Sequence, residues 1–406
     1  MSLLVHKYGG TSVGSIERIE AVADRVAGTL AAGHQIVVVV SAMSGETNRL
    51  TSLAHEITER PSSREMDVLL ASGEQVSIAL LAMALQKRGI DSQSFLGDQI
   101  PFKTDSSHER ARIEFVAPNK LLEVVGRGAV PVVAGFQGVD DVGDVTTIGR
   151  GGSDTSAVAI AHAVDAAECL IYTDVAGVYT ADPRIVDKAA RLAYVDFEEM
   201  LEMASLGAKV LHTRAVEYAH KNNVPMRVLS SFEDGEGTLV TSEMEHMEKP
   251  LVSAVTHERD EAKLTLLRVN DVPGIAWKIL GPIGDADIMV DMIVQNVSVE
   301  GHTDFSFTVK RADYLRAKDL LEQSVRDNGF NECTVTGDDS IAKVTIVGVG
   351  MRSHAGVATT MFETLANENI NIQMISTSEI KISVVIDERY VELAVRSLHD
   401  AFELDT

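Results

Sequence analysis

The sequence predicts an α/β protein: a mostly parallel sheet sandwiched by helices, followed by two ferredoxin-like βαββαβ domains. Three observations lead there. Apolar strands alternate with helical patterns up to about residue 230. Ile36–Val40 is continuously apolar and rich in β-branched residues, as a strand buried on both faces should be. The C-terminal part carries an internal repeat, with Gly274 and Gly356 standing 82 positions apart in matching contexts.

In chain order, the candidate strands of the first part are Leu3–Lys7, Gln35–Ser41, Ser92–Leu96, Val130–Ala134, Cys169–Thr173 and Pro225–Leu229. Candidate helices are Ser15–Ala32, Glu65–Arg88, Ser153–Ala163, Phe197–Ser205 and Thr213–Asn222. Ligands of such a sheet sit at the carboxyl ends of its strands, where Lys7, Ser41 and Thr173-Asp174 fall. From Ser231 onward acids dominate and the buried pattern fades, so 241–250 reads as a linker. In the repeat, Val272-Pro273-Gly274-Ile275-Ala276 matches Ala355-Gly356-Val357-Ala358, and Asp287-Ile288-Met289-Val290 meets Asn369-Ile370-Asn371-Ile372. Each copy begins with an alternating strand, Lys263–Leu267 and Lys343–Val347. The second copy runs out of chain after its second helix, Tyr390–Ala401. Leu251–Val255 is therefore expected to supply its missing strand, with the first copy threaded inside the second. Gly281-Pro282, inside the first helix of the first copy, is expected to break or kink that helix.

Apolar residues make up 45% of the chain and aromatics only 5%, which implies cores built from Ala, Val, Leu and Ile. A net charge of -24 argues against non-specific nucleic-acid binding and against an anionic membrane surface. No apolar run is expected to reach the length of a membrane span, and no signal peptide is visible. Cys169 and Cys333 have no pairing or metal spacing, so a cytoplasmic, reducing setting is the simplest expectation.

Four segments carry chemistry. Lys7-Tyr8-Gly9-Gly10-Thr11-Ser12 closes a strand with a cation and a glycine turn, a combination that lets backbone N–H groups approach a phosphate. Thr146–Ser156 packs Gly149, Arg150, Gly151 and Gly152 before a helix opening at Ser153 or Asp154. This is either a capped glycine loop or an anion site made of a helix N-terminus and a guanidinium, and the anion site is the favoured reading. Tyr172–Arg184 is either a long solvated loop or a nucleotide loop, with Tyr179 flanking a base and Asp182 and Arg184 meeting ribose or phosphate. Lys209, in Gly207–His212, is a second candidate cation. Two further pieces can grip an acceptor. One is Ser41–Thr47. The other is Glu74, an acid in an apolar helix that needs a cationic partner such as a substrate ammonium. Neither a P-loop nor a protein-kinase catalytic loop is present, and the histidines show no metal-ligand spacing.

Together with Asp291–Ser298, these motifs closely resemble those of the aspartate kinases, members of the amino-acid kinase superfamily with C-terminal tandem ACT domains, over essentially the whole chain. The resemblance implies a catalytic domain at 1–240, a linker at 241–250, a first ACT domain at 263–340 and a second at 251–258 plus 341–406. It implies ATP-dependent phosphorylation of L-aspartate to 4-phospho-L-aspartate, with Mg²⁺ held mainly through ATP. By that resemblance Lys7, Asp154 and Lys209 are catalytic. Lys7, Gly9, Gly10, Ser41, Thr173, Asp174, Tyr179, Asp182, Arg184 and Lys209 contact ATP, and Ser41, Thr47, Glu74, Arg150, Gly151, Gly152 and Ser153 contact aspartate. Loops near Thr47 and Gly149–Gly152 are expected to close over the site. Effector contacts are expected from Asp271, Gly274, Ile275, Ala276, Asp291, Gln295 and Asn296, and in the second copy from Asn369, Asn371, Ile372 and Thr377. The expected effectors are lysine, threonine or both. The expected assembly is a homo-oligomer through ACT domains, with an internal start at Met244 or Met247 allowing a separate regulatory subunit. Two rivals are another amino-acid kinase, acting on acetylglutamate, glutamate, carbamate or UMP, and a catalytically dead amino-acid-binding regulator. The tandem repeat argues against the first, and the joint presence of Lys7, Arg150, Asp154 and Lys209 against the second.

Overall fold

The structure, a computed structural model, describes residues 2–207, 210–242, 251–296, 301–327 and 333–405. The chain divides into two compact units. The first comprises residues 2–179, 191–205 and 210–242, and the second 180–190, 206–207 and 251–405. Thr180–Ala190 therefore groups with the C-terminal unit rather than with the N-terminal 240 residues. The cause is apolar: Ala181 and Val186 are buried in a core with Val344, Val395 and Leu398.

The first unit runs β1 (Leu3–Tyr8), α1 (Ile16–Ala31), β2 (Gln35–Val40), α2 (Glu46–Ile57), α3 (Ser63–Lys87), β3 (Ser92–Phe95), β4 (Phe102–Thr104), β5 (Ile113–Val116), α4 (Asn119–Gly126), β6 (Val130–Ala134), β7 (Gln137–Val139), β8 (Val145–Thr147), α5 (Gly152–Ala163), β9 (Glu168–Thr173), β10 (Tyr194–Val195), α6 (Phe197–Ser205), α7 (Thr213–Asn222), β11 (Met226–Ser230) and β12 (Thr238–Val240). Its main sheet has the order β10-β12-β11-β9-β1-β2-β6-β3, with every pairing parallel except β11–β12. Ile36, Val38 and Val40 share one core with Ile19, Val22 and Val26 of α1 and Ile78, Leu81 and Leu85 of α3. Val37 and Val39, equally buried, project to the opposite face by strand alternation. Helices α2 and α4 and the small sheet β5-β4-β7-β8 were not expected from the sequence. Thr47 consequently lies in the first turn of a helix. Among the described residues one helix, Ser63–Lys87, is long and apolar enough by composition to cross a membrane, contrary to expectation. It is instead a core helix, half of it buried against the sheet and against α1.

The second unit contains β13 (Ala254–Asn270), α8 (Ile275–Asp285), β14 (Val290–Gln295), β15 (His302–Val309), α9 (Tyr314–Asp327), β16 (Thr334–Val347), α10 (Val357–Asn367), β17 (Met374–Thr377), β18 (Lys381–Asp387) and α11 (Val391–Ala401). They form one sheet in the order β14-β15-β13-β16-β18-β17. The start of β13 pairs with the end of β16, Ala254 opposite Val347 and Glu258 opposite Lys343. Beyond a bulge, Leu264 and Leu266 pair with Gly337 and Val335. Two main cores result, one around Leu264, Ile279 and Phe307, the other around Val344, Met361 and Leu398, beside a smaller cluster of Met292, Ile341, Met374 and Val385. Helix α8 is not broken at Pro282 but runs through it. A proline cannot donate to the carbonyl four residues back, here that of Lys278. Ser324 Oγ of α9 donates to that oxygen instead, at 3.2 Å, so the carbonyl is not orphaned.

Candidate active site

Strand β1 delivers Lys7 to the end of the sheet, between Val39 of β2 and Ile171 of β9. The residue is only 8% exposed, and its Nζ lies 2.5 Å from Asp154 Oδ1. Two partly desolvated charges at this distance hold each other in place. Gly9 follows at once, and a Cβ there would stand 3.4 Å from Lys7 Nζ, so the bare backbone passes close to the ammonium. Gly9 N–H donates to Tyr172 O at 3.3 Å, and Ser12 and Ser231 share a 2.5 Å hydroxyl contact. The glycine turn is thereby fastened to the ends of β9 and β11. Thr173 closes β9, and its hydroxyl meets the carboxylate of Asp174 at 3.2 Å. Tyr179 pairs with Arg191 in an isolated antiparallel bridge.

Asp154 comes from the first turn of α5. That helix opens at Gly152, one residue earlier than expected, with Gly151 as its N-cap at φ 70 and no side-chain cap. The ordinary capped-loop reading therefore fails, and the helix start relies on backbone groups. Gly151 has no room for a side chain: a Cβ would fall 2.1 Å from the His212 ring. Burial lowers the His212 pKa, which keeps a neutral imidazole against that loop. Arg150, between Gly149 and Gly151, is exposed, whereas Ser153 is buried and packs against Gly135.

On the acceptor side, Ser41 follows β2 and its N–H donates to Tyr8 O at 3.1 Å. Glu74 sits in the middle of α3 and is 3% exposed. Its Oε1 accepts from Ala42 N–H at 2.9 Å, and its Oε2 is buried with no partner. Gly73 makes this approach possible, since a Cβ there would stand 2.8 Å from Ala42 Cβ. Burial pushes the Glu74 carboxyl up to about 7, only partly opposed by the Ala42 amide. An acid in that state accepts a proton or an ammonium readily.

Lys7, Gly9, Gly10, Asp154, Thr173 and Ser41 thus gather at the carboxyl ends of neighbouring strands, with Glu74 tied to the same rim through Ala42. Lys209 lies outside the described residues. Asp182 and Arg184 belong to the C-terminal unit and bond each other, at 2.8 Å between Arg184 and Asp182 Oδ2. In the C-terminal sheet, Asp291 is already engaged by the ammonium of Lys343, a buried residue that also lies 3.5 Å from Glu261. Asp291, an expected effector contact, is therefore already paired within the chain in this structure. Gly274 and Gly356 both adopt the left-handed conformation as N-caps of α8 and α10. Asp271, Gln295, Asn296, Asn369, Asn371 and Thr377 are exposed, Ala276 and Ile372 half-buried, and Ile275 buried. The sequence reading missed His212, the Ser12–Ser231 contact and the buried Asp67, although Asp67 lies seven residues before Glu74 in the same apolar helix.

Residues 2–230 match the amino acid kinase family and residues 344–402 match an ACT domain. An aspartate kinase of Pseudomonas putida is 61% identical over 406 residues, covering 100% of this chain and 98% of its own. The chain belongs to the aspartate kinases. Escherichia coli aspartokinase III in complex with aspartate and ADP, its R-state, superposes with a TM-score of 0.80 at 28% identity, covering 98% of this chain and 99% of its own. The same enzyme in complex with lysine and aspartate, its T-state, gives 0.78 at 29% identity, covering 98% of this chain and 99% of its own.

Proposed function

We infer that this protein transfers the γ-phosphoryl group of ATP to the side-chain carboxylate of L-aspartate, releasing ADP and 4-phospho-L-aspartate. A carboxylate oxygen attacks the γ-phosphorus as the bond from that phosphorus to the ADP oxygen breaks. The nucleophile has a pKa of roughly 4 and is ionised at neutral pH, so no general base is required. The requirement is positive charge against crowded oxygens, together with alignment. The observation that carries the reading is Lys7, buried beside the Gly9 turn and oriented by Asp154. Its ammonium would neutralise charge on the transferring phosphoryl, with Lys209 as the second cation by sequence. Thr173, Asp174 and Tyr179 would line the nucleotide, and Arg150 would take the α-carboxylate of aspartate. Glu74 Oε2 would take its ammonium, which supplies the partner that this buried oxygen lacks. Mg²⁺ would be carried on the nucleotide's own oxygens. Among the described residues, the trio of ligand atoms within 4.8 Å of one another belongs to His108, Asp140 and Asp144, none of them in this site.

Release of ADP upon addition of aspartate, compared across acetylglutamate, glutamate, carbamate and UMP, tests this reading. A rate with aspartate no greater than with the others would refute it. For the C-terminal unit, we assign a first ACT domain at 263–340 inserted into a second at 251–258 and 341–406, a reading supported by the pairing of 254–258 with 343–347. Lysine, threonine or both would bind there and favour a less active form, in keeping with the lysine-bound T-state of the Escherichia coli relative. Exposed Trp277, Met289 and Ile293 on the first copy support assembly through these domains. The two unpaired cysteines, Cys169 and Cys333, suit a reducing, cytoplasmic compartment.

A further inference from the structure

We propose that Asp67 is the positioning residue for the loop that carries Arg150, and that α3 sets the spacing of the two protein groups that grip the backbone of the bound amino acid. The proposal rests on the reading that Arg150 holds the α-carboxylate of aspartate. Asp67 is completely buried, yet its carboxylate is fully used. Oδ1 accepts from Thr147 Oγ1 at 2.5 Å and from Glu109 N–H at 3.0 Å, and Oδ2 accepts from His108 Nδ1 at 2.7 Å. The three residues before Arg150 are each fastened. Thr147 is held by Asp67, and its carbonyl accepts from Ala111 N–H at 2.9 Å. Ile148 O accepts from Arg214 of α7 at 2.5 Å, and the same guanidinium reaches Ala111 O at 3.0 Å. Gly149, at φ 84, lies so close to Glu109 O that a Cβ would be 2.7 Å from it. On the other side of Arg150, Gly151 is packed against the His212 ring.

The backbone of Arg150 is thus constrained on both sides while its guanidinium stays exposed. That combination pre-organises a charge without burying it. Asp67 and Glu74 are seven residues apart, two turns of one helix and both inward-facing, so their separation along α3 is about 10 Å. Glu74 offers an oxygen to the ammonium, and Asp67 fixes the strand end that leads to the carboxylate-binding guanidinium. One rigid element therefore sets the distance between the two groups that grip a single amino-acid backbone.

Steady-state kinetics of Asp67→Asn, Thr147→Val, Thr147→Ser and Arg150→Ala test this. Asp67→Asn and Thr147→Val should each raise the aspartate KM about 10-fold or more while leaving the ATP KM within about 2-fold, because a displacement on the order of 1 Å is costly for a positioned group. Thr147→Ser keeps the hydroxyl and should restore the wild-type aspartate KM. An unchanged aspartate KM in both Asp67→Asn and Thr147→Val overturns the proposal, as does an equal rise in both KM values with a lowered unfolding temperature. If Asp67→Asn does not fold, the Thr147 pair decides by the same criteria. Arg150→Ala separates the two levels of the argument. A raised aspartate KM there with unaffected Asp67 and Thr147 variants refutes only the positioning role, whereas an unaffected Arg150→Ala refutes the carboxylate-binding reading as well.

Discussion

The Glu74 carboxyl titrates near 7 in the folded protein, against an ordinary value of 4.5. Between those two values the folded chain keeps a proton that the unfolded chain has released. Stability therefore falls as pH rises through that window and stays lowered above it. At about 1.4 kcal/mol per unit, the loss amounts to roughly 3 kcal/mol. Glu74→Gln keeps an oxygen for the Ala42 amide but has no charge to bury. Its unfolding temperature should match wild type near pH 5 and exceed it by roughly 5–10 °C near pH 8, in the absence of ligands. Differential scanning calorimetry at the two pH values measures this directly. An equal difference at both would refute the burial argument. Aspartate adds a second, independent readout. An ammonium placed at Oε2 favours the ionised carboxylate, so binding near pH 6.5 should expel about three-quarters of a proton from this group. Calorimetric binding enthalpies in two buffers of different ionisation heat report that proton. Identical enthalpies would mean that the ammonium lies elsewhere.

On the proposed reading, in which the Lys7 ammonium acts where charge develops on the phosphoryl group, Lys7→Ala should lower kcat by about 10²- to 10³-fold while the aspartate KM changes little. Arg150→Ala should do the reverse, raising the aspartate KM roughly 10- to 100-fold through loss of a charge-assisted contact, with kcat less affected. Saturating lysine with threonine should slow ADP release, and an unchanged rate would remove the sensor role from the C-terminal unit. Ser324→Ala should destabilise that unit by about 1 kcal/mol, because the Lys278 carbonyl beneath Pro282 loses its donor, and calorimetry of wild type against variant checks it.

The strands of the main sheet were legible because Ile36–Val40 and Val130–Ala134 are continuous apolar runs, rich in valine and isoleucine and buried on both faces. Helix α2 was not: of its twelve residues only Leu50 and Ala54 are buried, too few to show a period. Strands β4, β7 and β8 have three residues each, below the length at which alternation can be read. The break expected at Pro282 does not occur, and the hydroxyl that serves the freed Lys278 carbonyl, Ser324, lies on another helix 46 residues away, where no local pattern can announce it. The site shows the same division. Lys7 and the Gly149–Gly152 cluster announce themselves locally, as does an acid inside the apolar run around Glu74. The hydrogen bond from Ala42 that leaves one Glu74 oxygen free spans 32 residues, and no local pattern encodes it. Asp291 illustrates the converse: the sequence marks it as an effector contact, but the fold brings Lys343 to it.

The seventeen-residue strand Ala254–Asn270 and the fourteen-residue strand Thr334–Val347 run through both halves of the C-terminal sheet. Neither half owns its central strands. Val255 serves one apolar core and Ala262 the other, seven positions along, and the irregular register between Glu258 and Lys263 absorbs the odd step that would otherwise turn one set of side chains outward. Cutting either half away would strip the remainder of part of its backbone ladder. The pair should therefore melt in a single transition, and a one-residue deletion at Asp260 should be felt in both cores at once.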